Sequence, residues 1–418
     1  MTGPTFVDLF SGCGGLSLGL MTAGWQGLFA IEKSPDAFET LWHNLYHPSR
    51  QGFSWPGWLE IKPHTIDDFL EDYKENLKSL QGKVVLVAGG PPCQGFSFAG
   101  RRNPNDPRNM LPIKYVEVVK LIQPRFILIE NVRGFTCGFV KQKPNGILSR
   151  APSHAELISH SLKELGYEIF HEIVFSSEVG VPQLRQRLVM IAVKKQDAAF
   201  SALNGLSPFD LFHRSVKEFR LSKGLPLAGD ITAKMALSDL ETEGKKLVPC
   251  KDSSVPGFMQ ICYTVPRDLS SYQMLMRAGH NGTSPDCLRL PKHSEKVIQK
   301  FKLILETCER GKTISRQNRE KLGLRKHHTV PLHPDRVAAT VTTLPDDVVH
   351  YSEPRILTVR EMARLQSFPD WFSFKGRYTT GNTDRRTQCP RYTQVGNAVP
   401  PLLAEALGKV ILTLATIS

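Results

Sequence analysis

The sequence predicts an α/β fold in which a doubly wound, mostly parallel, Rossmann-like sheet carries an inserted smaller domain. Apolar strands alternate with amphipathic helices over residues 1–195. That rhythm is missing over residues 196–353 and returns over residues 354–418. Strand–helix alternation is typical of parallel sheets covered by helices on both faces. We therefore predict a first domain at 1–195, an inserted domain at 196–353 and a return segment at 354–418 that completes the first domain.

The individual elements follow from short apolar runs and from amphipathic spacing. Stretches such as "RFILIENV" are almost continuously apolar, as expected of strands buried on both faces. The predicted strands are 5–10, 28–33, 83–88, 126–132, 167–176 and 188–193. The predicted helices are 34–45, 111–122, 154–165, 358–367 and 401–414. Ligands bind beyond the carboxyl ends of the strands in such a sheet, so we expect functional side chains there.

Composition and charge narrow the class of protein. A net charge of +13 in 418 residues favours a polyanionic partner, with nucleic acid ahead of a membrane surface and a merely basic enzyme as the alternative. No apolar run reaches the roughly 18 residues of a membrane span, and the N-terminus leads directly into a strand, so we expect a cytoplasmic protein. The eight cysteines form no C-x-x-C pair, so neither a metal site nor a disulfide framework is expected.

A glycine-rich turn follows the first strand in "FVDLFSGCGGLSLGL" (6–20). Gly12, Gly14 and Gly15 would let a ligand approach the backbone closely at the start of a helix. Glu32 ends the second strand, where a carboxylate can accept hydrogen bonds from ribose hydroxyls. The spacing is not G-x-G-x-x-G, so the pattern indicates a nucleoside-bearing cofactor without requiring a pyrophosphate. The alternative is an ordinary tight turn beside a surface glutamate.

A single thiol stands at the end of a buried strand in "VVLVAGGPPCQGFSFAG" (84–100). The two prolines fix the direction of the chain before Cys93, and the strand end would expose its thiol. Glu130 ends another strand, and adjacent parallel strands end on the same rim, so a nucleophile and an acid can share one pocket. The alternatives are a small buried cysteine and a helix-capping glutamate.

Two further segments carry candidate site residues. In "GVPQLRQRLVMIAV" (180–193), Gln183, Arg185 and Arg187 alternate, which predicts that all three point to one face. Two guanidinium groups there can hold phosphates or a carbonyl oxygen, whereas the alternative is a solvated edge strand. In "YTQVGNAVPPLLAEALGKVI" (392–411), a loop with Asn397 precedes a helix opened by two prolines.

Taken together, these motifs resemble the C5-cytosine-specific DNA methyltransferases of bacterial type. The matching segments are "DLFSGCGG", "GGPPCQGFS", "ENV", "QLRQR" and "GNAVPP", in the order of that family, over residues 5–195 and 336–411. "RILTVREMARLQSFPD" (355–370) is similar to the return segment of the family. The resemblance implies a catalytic domain, completed by 354–418, and a target-recognition domain at 196–353 that reads the major groove.

The resemblance also implies the chemistry. Cys93 would add to cytosine C6, Glu130 would stabilise the charge that develops at N3, Arg187 would contact O2, and Arg185 would steady the nucleophile loop. The methyl donor would be S-adenosylmethionine, bound by Phe10, Gly12, Gly14, Glu32, Pro91 and Asn397. The family carries an Asp-Ile pair whose Asp meets adenine, but here Thr65-Ile66 fills that place and Asp67 comes directly after it. Asp67 is therefore a further cofactor-binding candidate that departs from the pattern.

Rival interpretations remain at this point. The substrate expected is double-stranded DNA, on which the protein would act as a monomer, and the candidate partners are a cognate restriction endonuclease or other defence proteins. A tRNA cytosine-5 methyltransferase has similar motifs, although a large basic insert favours duplex DNA. A catalytically idle DNA-binding protein would not need Cys93, Glu130 and Arg187 together. A Rossmann oxidoreductase would need the G-x-G-x-x-G spacing, which this chain lacks, and would give Cys93 no role.

Overall fold

The computed structural model describes residues 3–46, 52–92, 107–138, 140–142, 148–282, 284–324, 326–379 and 388–417. Within these residues the β-strands are β1 Thr5–Leu9, β2 Gln26–Ile31, β3 Leu86–Gly89, β4 Phe126–Asn131, β5 Val140–Gln142, β6 Leu148–Arg150, β7 Tyr167–Phe175, β8 Gln186–Lys194, β9 Leu247–Pro249, β10 Met259–Ile261, β11 Val330–Pro331 and β12 Val348–Val349.

The α-helices of the described residues are α1 Gly15–Thr22, α2 Pro35–Leu45, α3 Ile66–Asp72, α4 Lys74–Ser79, α5 Leu111–Ile122, α6 His154–Glu164, α7 Ala198–Leu203, α8 Pro208–Ser222, α9 Ala233–Leu237, α10 Ser271–Arg277, α11 Glu295–Thr307, α12 Arg316–Lys321, α13 Val359–Leu365, α14 Arg391–Asn397 and α15 Pro401–Ala415. All six predicted strands and five predicted helices are present, with ends shifted by up to three residues.

The central sheet has six strands in the order β2-β1-β3-β4-β8-β7. Strands β1 to β4 pair in parallel, whereas β8 runs antiparallel to both of its neighbours. The predicted doubly wound and mostly parallel α/β sheet is therefore confirmed. A reversed β8 needs no crossover helix, because it returns directly from β7.

Side chains of β4 alternate between two apolar layers, one on each face of the sheet. Phe126 and Leu128 join the layer formed with α1, α8 and α15, whereas Ile127 and Ile129 join the layer formed with α3, α5 and α6. This alternation is the period of two that any strand has, applied to a strand covered on both sides. It explains why "FILI" has no polar position.

Helices α7, α8 and α9 pack on the sheet domain, although they lie in the interval 196–353. Phe209, Phe212 and Phe219 of α8 are buried in the same apolar layer as α15, and Ala199 of α7 and Ala236 of α9 join them. These helices therefore extend the apolar layer that covers one face of the sheet.

The segment that follows β11 also returns to the sheet domain early. Gln183 and Ala338 form a parallel β-bridge, and the Leu184 amide donates to the Ala338 carbonyl at 2.8 Å. Residues 338–341 thus lie beside the start of β8, ahead of the predicted return at 354.

Among the described residues, one helical stretch, Arg391–Ala415, is long and apolar enough to resemble a membrane span, but 78% of its apolar window is buried in the protein. It comprises α14 and α15, and α15 packs along α1. The apolar character therefore reflects a core helix.

Asp8 is a buried acid beneath the glycine-rich turn, and it should make stability depend on pH. It is 0% exposed, and the Ser17 hydroxyl donates to it at 2.5 Å. Burial raises the pKa of Asp8 to about 7. The folded protein therefore holds this proton up to a higher pH than the unfolded chain does, so the contribution of Asp8 to stability falls as the pH rises from about 4 to about 7.

Replacing Asp8 with Asn should remove this dependence. We expect the gain in unfolding free energy of Asp8→Asn over the natural protein to grow with pH, on the order of 1.4 kcal/mol per pH unit within that window. Urea unfolding at pH 5 and pH 8 measures it. A gain that is the same at both pH values would contradict this prediction.

Candidate functional site

The carboxyl ends of the four parallel strands converge on one rim of the sheet. Leu9 pairs with both Ile31 and Gly89, and Gly89 pairs with Ile129. The residues that directly follow these positions are Phe10, Glu32, Gly90 and Glu130. Four segments singled out from the sequence are thus side by side, where ligands bind in open α/β sheets.

The turn after β1 forms a cradle closed by Glu32. Phe10, Gly12 and Gly14 all have positive φ, at 59°, 56° and 92°. The Gly12 amide donates to Glu32 Oε2 at 3.0 Å, and the Ser34 amide donates to Oε1 at 2.7 Å. Burial raises the pKa of Glu32, while these amides act in the opposite direction. The carboxylate is oriented by two amides and keeps further acceptor capacity for hydroxyl groups.

The three glycines of this turn have different roles. A Cβ on Gly12 would meet no atom within 4 Å, so this residue borders open space. A Cβ on Gly14 would lie 2.9 Å from Leu45, and one on Gly15 would lie 2.4 Å from the Val399 carbonyl oxygen. Of the three predicted ligand-approach glycines, Gly12 fits that role, whereas Gly15 lets α1 pack closely on the chain before α15.

A buried ion pair defines the other half of the rim. Arg187 Nε lies 2.7 Å from Glu130 Oε1, and the two side chains are 12% and 10% exposed. The neighbouring Asn131 donates to the Pro91 carbonyl oxygen at 2.8 Å and so fixes the chain after β3 against β4. Cys93, two residues beyond Pro91, lies outside the described residues.

Arg185 occupies a different place from Arg187. Its guanidinium group is 1% exposed and donates to the backbone carbonyl oxygens of Val341, Gly396 and Ala398 at 2.9–3.1 Å. Burial lowers the pKa of Arg185, and the charge of Arg187 adds to this effect. The contacts described for Arg185 are those of a positioning residue, since it joins the start of β8 to the loop that follows α14.

Gln183 is likewise turned into the protein rather than towards a ligand. It donates to the Leu365 carbonyl oxygen at 2.8 Å and accepts from the Val341 amide at 2.9 Å. Alternation predicted one common face for Gln183, Arg185 and Arg187, but β8 begins only at Gln186. The segment before it is enclosed by 338–341 and by the chain after α14, which sequence spacing cannot reveal.

Asn397 ends α14 as an exposed residue next to the tightly packed Gly396. A Cβ on Gly396 would lie 2.3 Å from the Thr342 carbonyl oxygen, so only glycine fits there. Gln394 of the same helix accepts from the Thr40 hydroxyl at 2.7 Å, and its carbonyl faces Cys13 Sγ at 3.7 Å. α14 is thereby held against the glycine-rich turn. Sequence reasoning missed Gln394, and its only signal was its position three residues before Asn397.

Asp67 lies in the first turn of α3, with its side chain 63% exposed and 3.6 Å from Lys114 Nζ. Thr65 caps the same helix, because its hydroxyl accepts from the Asp68 amide at 3.1 Å. The preceding His64 amide donates to the Glu32 carbonyl oxygen at 3.0 Å, which places this segment beside the cradle. Asp67 thus stays a prediction, with its carboxylate directed to solvent and Lys114.

Comparisons with known proteins point to one family. A family model described as C-5 cytosine-specific DNA methylase matches residues 4–413. Type II methyltransferase M1.HphI of Haemophilus parahaemolyticus is 30% identical over 416 residues, covering 99% of this chain and 87% of the relative. Type II methyltransferase M.DdeI of Desulfomicrobium norvegicum is 29% identical, covering 97% and 88%.

A solved structure supports the same fold. An E. coli prophage protein assigned as a DNA modification methyltransferase superposes with a TM-score of 0.65 at 23% identity, covering 99% of each chain.

Proposed function

The chain belongs to the C-5 cytosine-specific DNA methylase family, and from this premise we propose that it methylates C5 of a cytosine flipped out of a specific duplex DNA site. The observation that carries the proposal is the buried Glu130–Arg187 pair on the rim beside Pro91. A duplex hides the reacting atoms of the base, so an enzyme of this kind must extrude it.

The residues of the rim suit addition to a pyrimidine ring. We assign Cys93 as the nucleophile, whose thiolate forms a bond to C6 and makes C5 electron-rich. Glu130 would stabilise the charge that develops at N3, and Arg187 would contact O2 while orienting Glu130. After methylation, the C5 proton leaves and the C6–S bond breaks, which returns the thiolate and the aromatic ring.

The cradle fits S-adenosylmethionine as the methyl donor. When bound, it supplies an electrophilic methyl group to C5. Glu32 would accept from the ribose hydroxyls, since two amides orient its carboxylate. Gly12 borders open space in which a ligand can lie against the backbone. We assign the remaining contacts to Phe10, Gly14, Asp67, Pro91 and Asn397.

One methyl-transfer assay distinguishes this function from the RNA methyltransferase and from an idle DNA-binding protein. Purified protein with S-adenosylmethionine carrying a labelled methyl group is offered unmethylated duplex DNA and, separately, tRNA. We expect label in DNA, and bisulfite sequencing of that DNA then identifies the recognised site. Label in tRNA alone would support the RNA methyltransferase, and binding of DNA without transfer would support an idle DNA-binding protein.

The cellular setting is also part of the proposal. Because the relatives M1.HphI and M.DdeI are named type II methyltransferases, we place the protein in a restriction-modification system of the cytoplasm. It would act as a monomer on DNA, with a cognate endonuclease or other defence protein as partner.

We propose that the target-recognition domain is narrower than 196–353. Since α7–α9 and residues 338–341 pack on the sheet domain, the recognition segment would span about residues 241–335. Grafting this segment from a relative of different specificity should change which sites are methylated. Bisulfite sequencing measures this, and unchanged sites would contradict the assignment.

The basic run 310–328 should contact DNA phosphates. Arg316 and Lys321 are exposed on α12, as is Lys312 before it, whereas Arg319 is half-buried and its guanidinium contacts His327. Replacing the three exposed residues with Gln should weaken binding to every DNA sequence alike. The log–log salt slope should flatten by about one unit per lost contact.

A matched control is the triple variant Lys83→Gln, Lys120→Gln and Lys195→Gln. It removes three exposed lysines at the end of the sheet opposite the rim that carries the site. This control should leave the slope nearly unchanged. Equal slopes for the two triple variants would identify the run as a solvated face.

A further inference from the structure

Asp252 joins the recognition segment to the start of α14. Its Oδ2 accepts from Arg391 Nη1 at 2.6 Å and from the Cys287 amide at 3.1 Å, and its Oδ1 accepts from the Tyr378 hydroxyl at 2.6 Å. Burial would raise the pKa of Asp252, but hydrogen bonds from Tyr378 and Cys250 and the charge of Arg391 lower it below its ordinary value. The pair is therefore an ionised link.

Aromatic and guanidinium groups stack across the same boundary. Arg289 lies between Phe258 and Tyr378, with its Cζ atom 4.1 Å and 3.8 Å from the two ring centroids. Arg391 covers the Tyr378 ring at 4.4 Å. The four side chains alternate aromatic and cationic groups, which is an attractive arrangement when water is partly excluded. Phe258 and Arg289 belong to the recognition segment, whereas Tyr378 and Arg391 belong to the return segment.

This cluster contains side chains of the types that bind metal ions, but its carboxylates are already paired with arginines. Asp252, Asp286 and Cys287 bring three ligand atoms within 4.8 Å of one another. Arg391 forms an ion pair with Asp252, and Arg360 forms an ion pair with Asp286. The charges are thus used to join protein segments.

The cluster connects the β9–β10 hairpin, on the proposed DNA side, with helix α14, on the proposed cofactor side. On one side, Asp252 and Phe258 form the base of the β9–β10 hairpin loop, whose outer residues 254–257 are exposed. On the other side, Arg391 is the first residue of α14, which ends at Asn397 beside the glycine-rich turn. A shift at the hairpin base would therefore reach the cofactor cradle through one short helix.

Resting on the function proposed above, we propose that the Asp252–Arg391 junction is a positioning device that couples DNA binding by the hairpin to cofactor binding at α14. The junction consists of Asp252 and Arg391 with Tyr378 and Arg289. DNA held by the recognition segment fixes Asp252, which fixes α14 and tightens the cradle. Coupling of this kind is reciprocal, so the cofactor tightens DNA by the same factor.

The test measures a ratio of affinities. The dissociation constant of S-adenosylhomocysteine is measured by calorimetry without DNA and with saturating duplex that carries the recognised site. For the natural protein we expect DNA to tighten binding about tenfold, within the range common for coupled sites. Asp252→Asn keeps the shape but faces Arg391 with an amide, so we expect it to bring the ratio to within about twofold of one.

Asp197→Asn is the matched control, because it breaks the Arg125–Asp197 pair (2.5 Å) at the far end of β4. It should lose similar stability and keep the coupling ratio of the natural protein. Tyr378→Phe removes one hydrogen bond and keeps the stacked ring, so it should lower the ratio partially. If Asp252→Asn does not fold, Tyr378→Phe becomes the test of the junction. An unchanged ratio in Tyr378→Phe would then overturn the proposal.

A ratio near one in the natural protein, or a natural ratio in folded Asp252→Asn, would also overturn the junction. Neither result touches the proposed function, which stands or falls with methyl transfer to DNA. Methylation of DNA without coupling would contradict only the proposed junction. Absence of methyl transfer to DNA would contradict the proposed function as well.

Discussion

Duplex DNA with 5-fluorocytosine at the recognised position should remain covalently attached to this protein in the presence of S-adenosylmethionine. If the thiolate of Cys93 adds to C6, release after methylation requires the substituent at C5 to leave as a cation. Hydrogen leaves as a proton, but fluorine cannot leave as a cation. The last step is then blocked, and the adduct should survive denaturing electrophoresis and appear by mass spectrometry on the peptide containing Cys93.

Cys93→Ser is the informative variant in this experiment. A serine hydroxyl without an activating base is ionised far too little to add to the ring, so we expect no adduct. Cys137→Ser and Cys262→Ser remove other free thiols, one half-buried and one exposed, and should trap DNA as the natural protein does. An adduct in Cys93→Ser would identify another nucleophile. No adduct in any variant, on DNA shown to be bound, would leave a DNA-binding protein without this chemistry.

Glu130→Gln should reduce turnover far more than it reduces cofactor binding. The amide keeps the shape beside Arg187 but cannot supply a proton to N3 of the base. Removal of a general acid typically costs about 10²–10⁴ in rate. Single-turnover methyl transfer measures the effect, with the affinity for S-adenosylhomocysteine expected to stay within about threefold of the natural value.

Loss of the Glu130 charge also breaks a nearly buried pair, which can cost about 3–5 kcal/mol of stability. Thermal unfolding is therefore measured alongside turnover, with Asp197→Asn as control because it breaks an arginine–carboxylate pair away from the rim. We expect the control to unfold at a lower temperature with turnover unchanged. Near-normal turnover in folded Glu130→Gln would remove Glu130 from the mechanism.

The sequence by itself determined the elements and the family. The apolar run of β4 predicted its burial on both faces, and the turn residues around Gly12 and Pro91 predicted where the strands end. Such signals are local, because strand and helix periods and turn preferences are written into neighbouring residues. The placement of Glu32 and Glu130 on one rim followed from parallel pairing, which the strand–helix rhythm had already predicted.

Only the tertiary structure decided which residue contacts which distant segment. Arg185 and Arg187 are two positions apart, yet one holds the carbonyl oxygens of residues 341, 396 and 398 while the other pairs with Glu130. Helix α8 joins the sheet domain because its phenylalanines meet α15, about 190 residues away along the chain. The Asp252–Arg391 pair spans 139 residues. An amphipathic face or a charge in the sequence indicates that a packing partner or counter-charge is needed. Which distant segment supplies it depends on the packing of the whole chain, and that choice leaves no local periodicity in the sequence.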